Sequence, residues 1–271
     1  MEADGLTIAF ERAGQGPPLV LVHGGAEDSR VWRGQFAVLA DEFTVVAWDE
    51  PGAGRSCDLP DDMALADFAD ALAALIESLR LGPAPVAGLS WGGTVALELY
   101  RRHPGLVATL IMIDTYAGWK GSLPADEVRA RVAGVRRMLD APPGGFDPTL
   151  PGLFAGDPPA ASVPLLAAVA ADVRRSTLAR ELEIMAEADL RDLLPHIAVP
   201  TLLVWGDSDV RSPLTVARQF QEAIPDTELV VIEGAGHLIH LERPDEVNAA
   251  LRAFCRANGS PSPGGPALPD R

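Results

Sequence analysis

The stretch Pro85-Val86-Ala87-Gly88-Leu89-Ser90-Trp91-Gly92-Gly93 decides the fold of this chain. Residues 85–89 are a short apolar run, which predicts a buried strand, and residues 91–102 follow at once with a helical pattern. Ser90 therefore lies in a sharp turn between strand and helix, with a glycine two residues before it and another two residues after it. Such glycines keep the neighbouring backbone from clashing, and the turn exposes the serine hydroxyl at the carboxyl end of the strand. We predict that Ser90 is a nucleophile.

The rest of the chain repeats this alternation of strand and helix. Five further short apolar runs predict strands at residues 17–23, 43–49, 108–113, 201–205 and 228–232. Helical patterns cover residues 65–79, 213–223 and 244–256. Strands that are apolar throughout are typical of a parallel sheet covered on both faces. The sequence therefore predicts an α/β fold, with a mostly parallel central sheet and helices on both of its faces.

The alternation stops between residues 117 and 195. This part of the chain contains helical pieces broken by prolines and glycines and has no strand pattern, which predicts an inserted helical cap, or lid. Residues 1–116 and 196–257 then form the core domain. Residues 258–271 contain four prolines and three glycines, so we predict a disordered tail.

A serine nucleophile needs a base, and histidine is the usual one. The chain has five histidines: His23, His103, His196, His237 and His240. His237 follows Glu233-Gly234-Ala235-Gly236, a glycine-rich loop after the last predicted strand that can fold inward, and we predict that it is the base. We expect His23 to stabilise its own loop and His240 to serve packing.

The base needs an acid to orient it, and three aspartates are candidates. Asp207 and Asp209 follow the strand at residues 201–205, and Asp114 follows the strand at residues 108–113. Asp209 lies four residues before Pro213, which opens a helix, and is the better placed of the three to reach inward. Asp207 is the second choice and Asp114 the third.

Two backbone N–H groups are needed to bind an oxyanion. One is expected from Trp91, directly after the nucleophile. The other is expected from the loop His23-Gly24-Gly25-Ala26 after the first apolar strand, with Gly25 as the donor.

Composition and charge exclude several classes of protein. The 271 residues include 22 Lys and Arg against 38 Asp and Glu, which gives a formal net charge of −16. Lys120 is the single lysine and follows Trp119, so there is no P-loop. Without a concentrated basic face we expect no nucleic acid partner. The acidic first residues, the lack of an apolar run of about 20 residues and the two cysteines predict a cytoplasmic protein without a membrane partner.

Together these features resemble the α/β-hydrolase superfamily over residues 6–257. Residues 49–56, Asp-Glu-Pro-Gly-Ala-Gly-Arg-Ser, are similar to the family's Asp-x-x-Gly-x-Gly-x-Ser loop. Residues 200–209 resemble its acid-bearing strand, in which the Gly-x-x-Asp pattern favours Asp209. Residues 234–237 with 242–244 resemble its histidine loop and final helix. The order serine, aspartate, histidine along the chain is also that of the family.

The resemblance implies a capped serine hydrolase with no metal or organic cofactor. We expect it to act on an ester, lactone or related acyl bond of a small, mostly apolar molecule. Trp119, Tyr116 and Met138 are candidates for lining the substrate pocket, as are Phe146 and Phe154. The sequence gives no indication of the oligomeric state.

Two alternatives remain at this point. Ser90-Trp91-Gly92 is similar to the turn of proline iminopeptidases, whose acidic cap residues hold a substrate amine. Four cap acids are available for that role, Glu181, Glu183, Glu187 and Asp189. However, that group usually has His-Gly-Gly-Pro-Gly where this chain has Ala26 and Glu27 after the glycines, and we interpret the four acids as helix surface. The other alternative is a silent or slow member of the fold that only binds a ligand.

Overall fold

A seven-stranded sheet forms the centre of the computed structural model, which describes residues 1–3, 5–140 and 152–258. The strands are β1 Glu2–Ala3, β2 Leu6–Thr7, β3 Phe10–Ala13, β4 Pro18–Val22, β5 Thr44–Trp48, β6 Ala84–Leu89, β7 Val107–Ile113, β8 Thr201–Gly206 and β9 Thr227–Ile232. β1 and β2 pair with each other, and the large sheet has the order β3-β5-β4-β6-β7-β8-β9. Strand β3 runs antiparallel to β5, and the other neighbours are parallel. The predicted fold class is confirmed.

The six predicted strands are all present, with ends that differ from the prediction by at most one residue. The sequence analysis missed β1, β2 and β3. Strand β3 has the sequence Phe-Glu-Arg-Ala at the edge of the sheet and is only partly buried. Because it lacks the continuous apolar run of a central strand, the pattern that identified the other six could not find it.

Successive residues of each strand point to opposite faces of the sheet, and each face has its own core. In β4, Val20 and Val22 belong to one buried cluster, while Leu19 and Leu21 belong to the other. All four side chains are at most 1% exposed. Strands buried on both faces explain why their sequences are apolar throughout.

Helices cover both faces. They are α1 Arg33–Leu39, α2 Leu65–Ser78, α3 Trp91–Arg102, α4 Trp119–Ser122, α5 Ala125–Asp140, α6 Val163–Asp172, α7 Arg175–Glu187, α8 Leu214–Ala223, α9 Ile239–Glu242 and α10 Pro244–Asn258. Buried residues of α2, α3 and α8 pack on the face that carries Val20. Buried residues of α1, α9 and α10 pack on the opposite face.

The connection between β7 and β8 holds the helices α4 to α7, and its described residues contain no strand. Leu182 and Met185 of α7 join the core on one face of the sheet, and Leu166 and Val169 of α6 join the core on the other. The insertion therefore contributes side chains to both of the cores that flank the sheet.

Two predictions fall wholly or mostly on residues outside the described ranges. Phe146 lies in the segment 141–151, and the predicted tail lies outside them from residue 259 onward. Asn258, the first residue of that predicted tail, is instead the last residue of α10. In the described ranges, every helix is too short or too polar to cross a membrane.

Candidate active site

Ser90 occupies a strained turn at the carboxyl end of β6. The strand ends at Leu89, α3 begins at Trp91, and Ser90 between them has φ +51° and ψ −116°. A positive φ is costly for a residue with a side chain, so the surrounding structure must impose it. A Cβ atom on Gly88 would lie 2.5 Å from the carbonyl oxygen of Gly92, and one on Gly92 would collide with carbonyl oxygens of β4 and the loop after it. Close backbone packing around the serine therefore requires both glycines.

His237 links Ser90 to Asp209. Its Nε2 lies 3.0 Å from the Ser90 Oγ, and its Nδ1 lies 2.8 Å from the Asp209 Oδ2. The His237 side chain is 5% exposed and the Asp209 side chain is 0% exposed. The other carboxylate oxygen of Asp209 accepts hydrogen bonds from the backbone N–H groups of Arg211 at 2.7 Å and Ser212 at 2.9 Å. The structure thus brings together the three residues that the sequence analysis selected, at hydrogen-bonding distances.

Asp207, the second-choice acid, does not reach the histidine. Its side chain is exposed, and its Oδ1 accepts from the Ser208 hydroxyl and from the Gly234 N–H, both at 2.8 Å. Asp207 and Asp209 are in the same turn after β8, but only the second points into the protein.

Asp114, the third choice, is fully buried next to Asp209. Its Oδ1 accepts from the Gly206 N–H at 3.0 Å, while its Oδ2 has no hydrogen-bond partner among the described residues. Burial, together with the negative charge of Asp209, raises the pKa of Asp114 well above its ordinary value. In its protonated form, Asp114 can donate a hydrogen bond to Asp209.

The two predicted oxyanion donors lie side by side. A Cβ atom on Gly25 would be 3.6 Å from the Cβ of Trp91. In the described part of the chain neither the Gly25 N–H nor the Trp91 N–H has an acceptor. Because Trp91 begins α3, its N–H also carries the partial positive charge of a helix N-terminus.

His23 stabilises the loop that presents Gly25. Its Nδ1 lies 2.8 Å from the carbonyl oxygen of Gly24, and its Nε2 accepts from the Glu50 N–H at 3.2 Å. Burial lowers the pKa of His23, which keeps the ring neutral and suits one donating and one accepting nitrogen. The ring thereby joins the loop after β4 to the loop after β5.

A cavity opens above Ser90, between the carboxyl end of the sheet and helices α5, α6 and α7. The three predicted lining residues, Tyr116, Trp119 and Met138, are all in its wall. Most other wall residues are apolar, among them Leu89, Val135, Leu153, Leu166, Val169, Leu178, Leu182, Met185 and Leu238. Phe154, a further candidate, is not in this wall and belongs instead to the buried core that contains Leu19 and Leu21.

Arg131 of α5 anchors the insertion to this wall. Its Nη1 donates to the Tyr116 hydroxyl at 2.9 Å, and its guanidinium lies 5.6 Å from the Tyr116 ring centre and 5.5 Å from that of Trp119. Burial raises the pKa of Tyr116 to about 12, so the hydroxyl stays protonated.

Sequence analysis did not bring together three glutamates at this cavity: Glu27 and Glu181, which line it, and Glu50, which interacts with Glu181. The interpretation of the cap acids as helix surface holds for Glu183 and Glu187, which are exposed, but is wrong for Glu181, which is 4% exposed and lines the cavity. A signal was present, because Glu181 lies three residues after Leu178 and four before Met185, on the buried stripe of α7.

Comparison with known proteins places this chain among hydrolases. The sequence model of one family, described as the alpha/beta hydrolase fold, matches residues 17–244. The pimeloyl-[acyl-carrier protein] methyl ester esterase of Chromobacterium violaceum is 31% identical over 256 residues, which cover 91% of this chain and 97% of that protein. The dihydrolipoyllysine-residue acetyltransferase component of the acetoin cleaving system of Pseudomonas putida is 32% identical over 257 residues, 91% of this chain but only 66% of that protein. Among solved structures, a thermophilic esterase from Thermogutta terrifontis with malate bound has a TM-score of 0.82 and 32% identity, over 96% of this chain and 97% of that one.

Proposed function

The chain belongs to the alpha/beta hydrolase family, and we propose that it is a serine hydrolase that cleaves an ester, a lactone or a related acyl bond of a small, mostly apolar molecule. One observation carries this proposal: the Ser90 hydroxyl lies 3.0 Å from a histidine whose other nitrogen is held 2.8 Å from a buried aspartate. Esterases among its relatives support the same reaction class.

In the first step, Ser90 attacks the carbonyl carbon of the substrate. His237 takes the hydroxyl proton at Nε2, because its Nδ1–H donates to Asp209 and leaves Nε2 free to accept. Asp209 holds the imidazole in that tautomer and stabilises the imidazolium. As the tetrahedral intermediate collapses, His237 returns the proton to the leaving alkoxide, and an acyl group remains on the Ser90 oxygen.

The negative charge on the substrate oxygen is bound by the Gly25 and Trp91 N–H groups. Both are backbone donors held in place before the reaction, so little reorganisation is needed when the charge develops. One such donor contributes on the order of 3 kcal/mol to stabilising the transition state.

Deacylation repeats the same chemistry with water. His237 removes a proton from the attacking water, the acyl–oxygen bond to Ser90 breaks, and the proton passes to the serine oxygen. The products are a carboxylic acid and the free enzyme.

In this proposal the insertion of residues 117–195 acts as a cap over the core formed by residues 1–116 and 196–257. Side chains from α5, α6 and α7 close the cavity above Ser90 and are mostly apolar. Tyr116, Trp119 and Met138 then contact the substrate, and an apolar cavity of this kind favours a small, mostly apolar molecule.

The variant Ser90→Ala tests the proposal against a panel of short-chain esters, lactones and prolyl amides. We expect ester hydrolysis to fall by about 10³-fold or more, because the nucleophile is lost, with an unchanged melting temperature. Ser78→Ala, which alters an exposed serine on α2, is the matched control and should keep full activity. Near-normal hydrolysis by Ser90→Ala would contradict the mechanism, and a preference for prolyl amides would favour an aminopeptidase.

A further inference from the structure

Arg211 places a positive charge in the wall of the cavity above Ser90. Among the wall residues that the structure describes it is the only arginine or lysine, and most of the others are apolar. Arg211 follows β8 and is partly buried. Its backbone is held on both sides, since its N–H donates to the Asp209 Oδ1 at 2.7 Å and its carbonyl oxygen accepts from Arg131. The position of the residue that carries the charge is therefore well defined.

The Arg211 guanidinium has no acceptor of its own. Within residues 1–3, 5–140 and 152–258 it takes part in no ion pair and no side-chain hydrogen bond, and its Nε is buried without a partner. Two other partly buried arginines are paired, Arg131 with Glu127 at 2.5 Å and Arg30 with Asp28 at 2.6 Å. Removing a guanidinium group from water without an anion is costly, and a negatively charged ligand would offset that cost.

The Tyr116 hydroxyl is a second donor in the same part of the wall. Its oxygen accepts from the Arg131 Nη1 at 2.9 Å, while its own proton has no acceptor among the described residues. Burial raises the pKa of Tyr116 to about 12, and the nearby positive charges of Arg131 and Arg211 oppose that rise. The Tyr116 ring centre lies 6.3 Å from that of His237, which places this donor close to the reacting groups.

The two acids of the wall do not neutralise Arg211. Among the described residues neither Glu27 nor Glu181 forms an ion pair with it. Burial raises the pKa of Glu27 to about 8 and that of Glu181 to about 7. Near neutral pH these carboxyl groups carry less negative charge than ordinary glutamates do, which reduces the repulsion that an anionic substrate meets.

We propose that Arg211 and Tyr116 form a subsite for a carboxylate that the substrate carries at the far end of its acyl chain. The inference rests on the proposed function and refines it: the preferred substrate is a monoester of a short dicarboxylic acid, whose methylene chain contacts the apolar wall. One guanidinium matches the single charge of a carboxylate, whereas a phosphate group carries up to two. Because the acyl group stays on Ser90 through both half-reactions, this contact acts on acylation and deacylation alike.

The test compares the monomethyl esters of glutarate and adipate, each with the analogue in which a neutral carboxamide replaces the free carboxylate. We measure kcat/KM for each pair with the wild-type protein and with Arg211→Met. The wild type should prefer the carboxylate of at least one pair by about tenfold or more, and Arg211→Met should abolish that preference, since a charge-assisted contact is lost. Because both members of a pair are measured on one preparation, the ratio does not depend on the fraction of folded protein.

Arg218→Met is the matched control, since it removes the same charge from an exposed arginine of α8, and it should keep the wild-type ratio. A wild type that hydrolyses both carboxamide esters at least as well as the carboxylates would overturn the subsite and leave the proposed function intact. An unchanged ratio in Arg211→Met would do the same. If all four methyl esters are inert, hydrolysis of p-nitrophenyl acetate would overturn the subsite alone, whereas hydrolysis of no ester would count against the proposed function and with it against the subsite.

Discussion

At Asp209, two hydrogen bonds from the backbone and one from His237 fix a single carboxylate orientation. The exposed Asp207 has no comparable role, although it is only two residues away. We therefore predict that Asp209→Asn lowers kcat by about 10⁴-fold, because an amide stabilises the wrong imidazole tautomer. KM should change little, since Asp209 does not line the cavity.

Asp207→Asn is the control for that experiment and should retain activity within about twofold, as expected for an exposed surface group. Steady-state kinetics on one ester measures both variants. If Asp207→Asn lost activity and Asp209→Asn did not, the assignment of the acid would be reversed.

Sequence alone could narrow the acid to three aspartates but could not choose among them with certainty. Asp207 and Asp209 share one turn, and which of them points inward depends on hydrogen bonds to residues 211, 212 and 234 that exist only in the folded protein. The glutamate cluster was harder to predict, because its members are far apart in the chain. Only the packing of α7 against two separate loops brings them together.

Among the elements, the turn from β6 to α3 packs closely against the backbone of β4. A Cβ atom on Gly92 would collide with the carbonyl oxygens of Val22 and His23, which form the end of β4 and the start of the next loop. We predict that Gly92→Ala destabilises the protein by about 2 kcal/mol or more, since backbone cannot move aside as a side chain can.

Gly105→Ala is the comparison for Gly92→Ala, because a Cβ atom there meets nothing within 4 Å. Chemical denaturation of both variants gives the free energies of unfolding. Equal stability of the two variants would show that β4 and the turn do not pack as closely as described.

The central strands were predictable because each is buried on both faces and is therefore apolar throughout. The first three strands were not, since β3 lies at the edge and carries Glu11 and Arg12. The helical insertion was recognisable from the missing strand pattern, but its contribution to the cavity required the positions of α5, α6 and α7.

For the whole molecule, the net charge of −16 does not show which acidic residues are exposed and which are buried. Residues 117–195 contain 11 acidic and 9 basic residues, so this insertion is close to neutral. Yet one of those acids, Glu181, is buried against the site, and the charge count of the insertion does not reveal it.

Buried acids with raised pKa values make stability depend on pH. The folded protein holds a proton on Glu27 up to about pH 8, whereas the unfolded chain releases it near the ordinary value of 4.5. The contribution of Glu27 to stability is therefore full below pH 4.5 and is lost as the pH rises towards 8. We predict that Glu27→Gln gains stability relative to the wild type as the pH rises from 5 to 8.

Denaturation at several pH values measures that difference, and Glu183→Gln should show a constant difference because its carboxyl is exposed. A constant difference for Glu27→Gln would mean that Glu27 is ionised in the folded protein across this range.

The central claim is that Ser90 is an activated nucleophile, and covalent labelling with a fluorophosphonate tests it most directly. The serine oxygen displaces fluoride and forms a stable phosphonate ester, which intact-mass measurement detects and peptide mapping locates. We predict one adduct per chain, on Ser90, in the wild type and none in Ser90→Ala. A folded wild-type protein that takes up no label would contradict the account and indicate a ligand-binding protein.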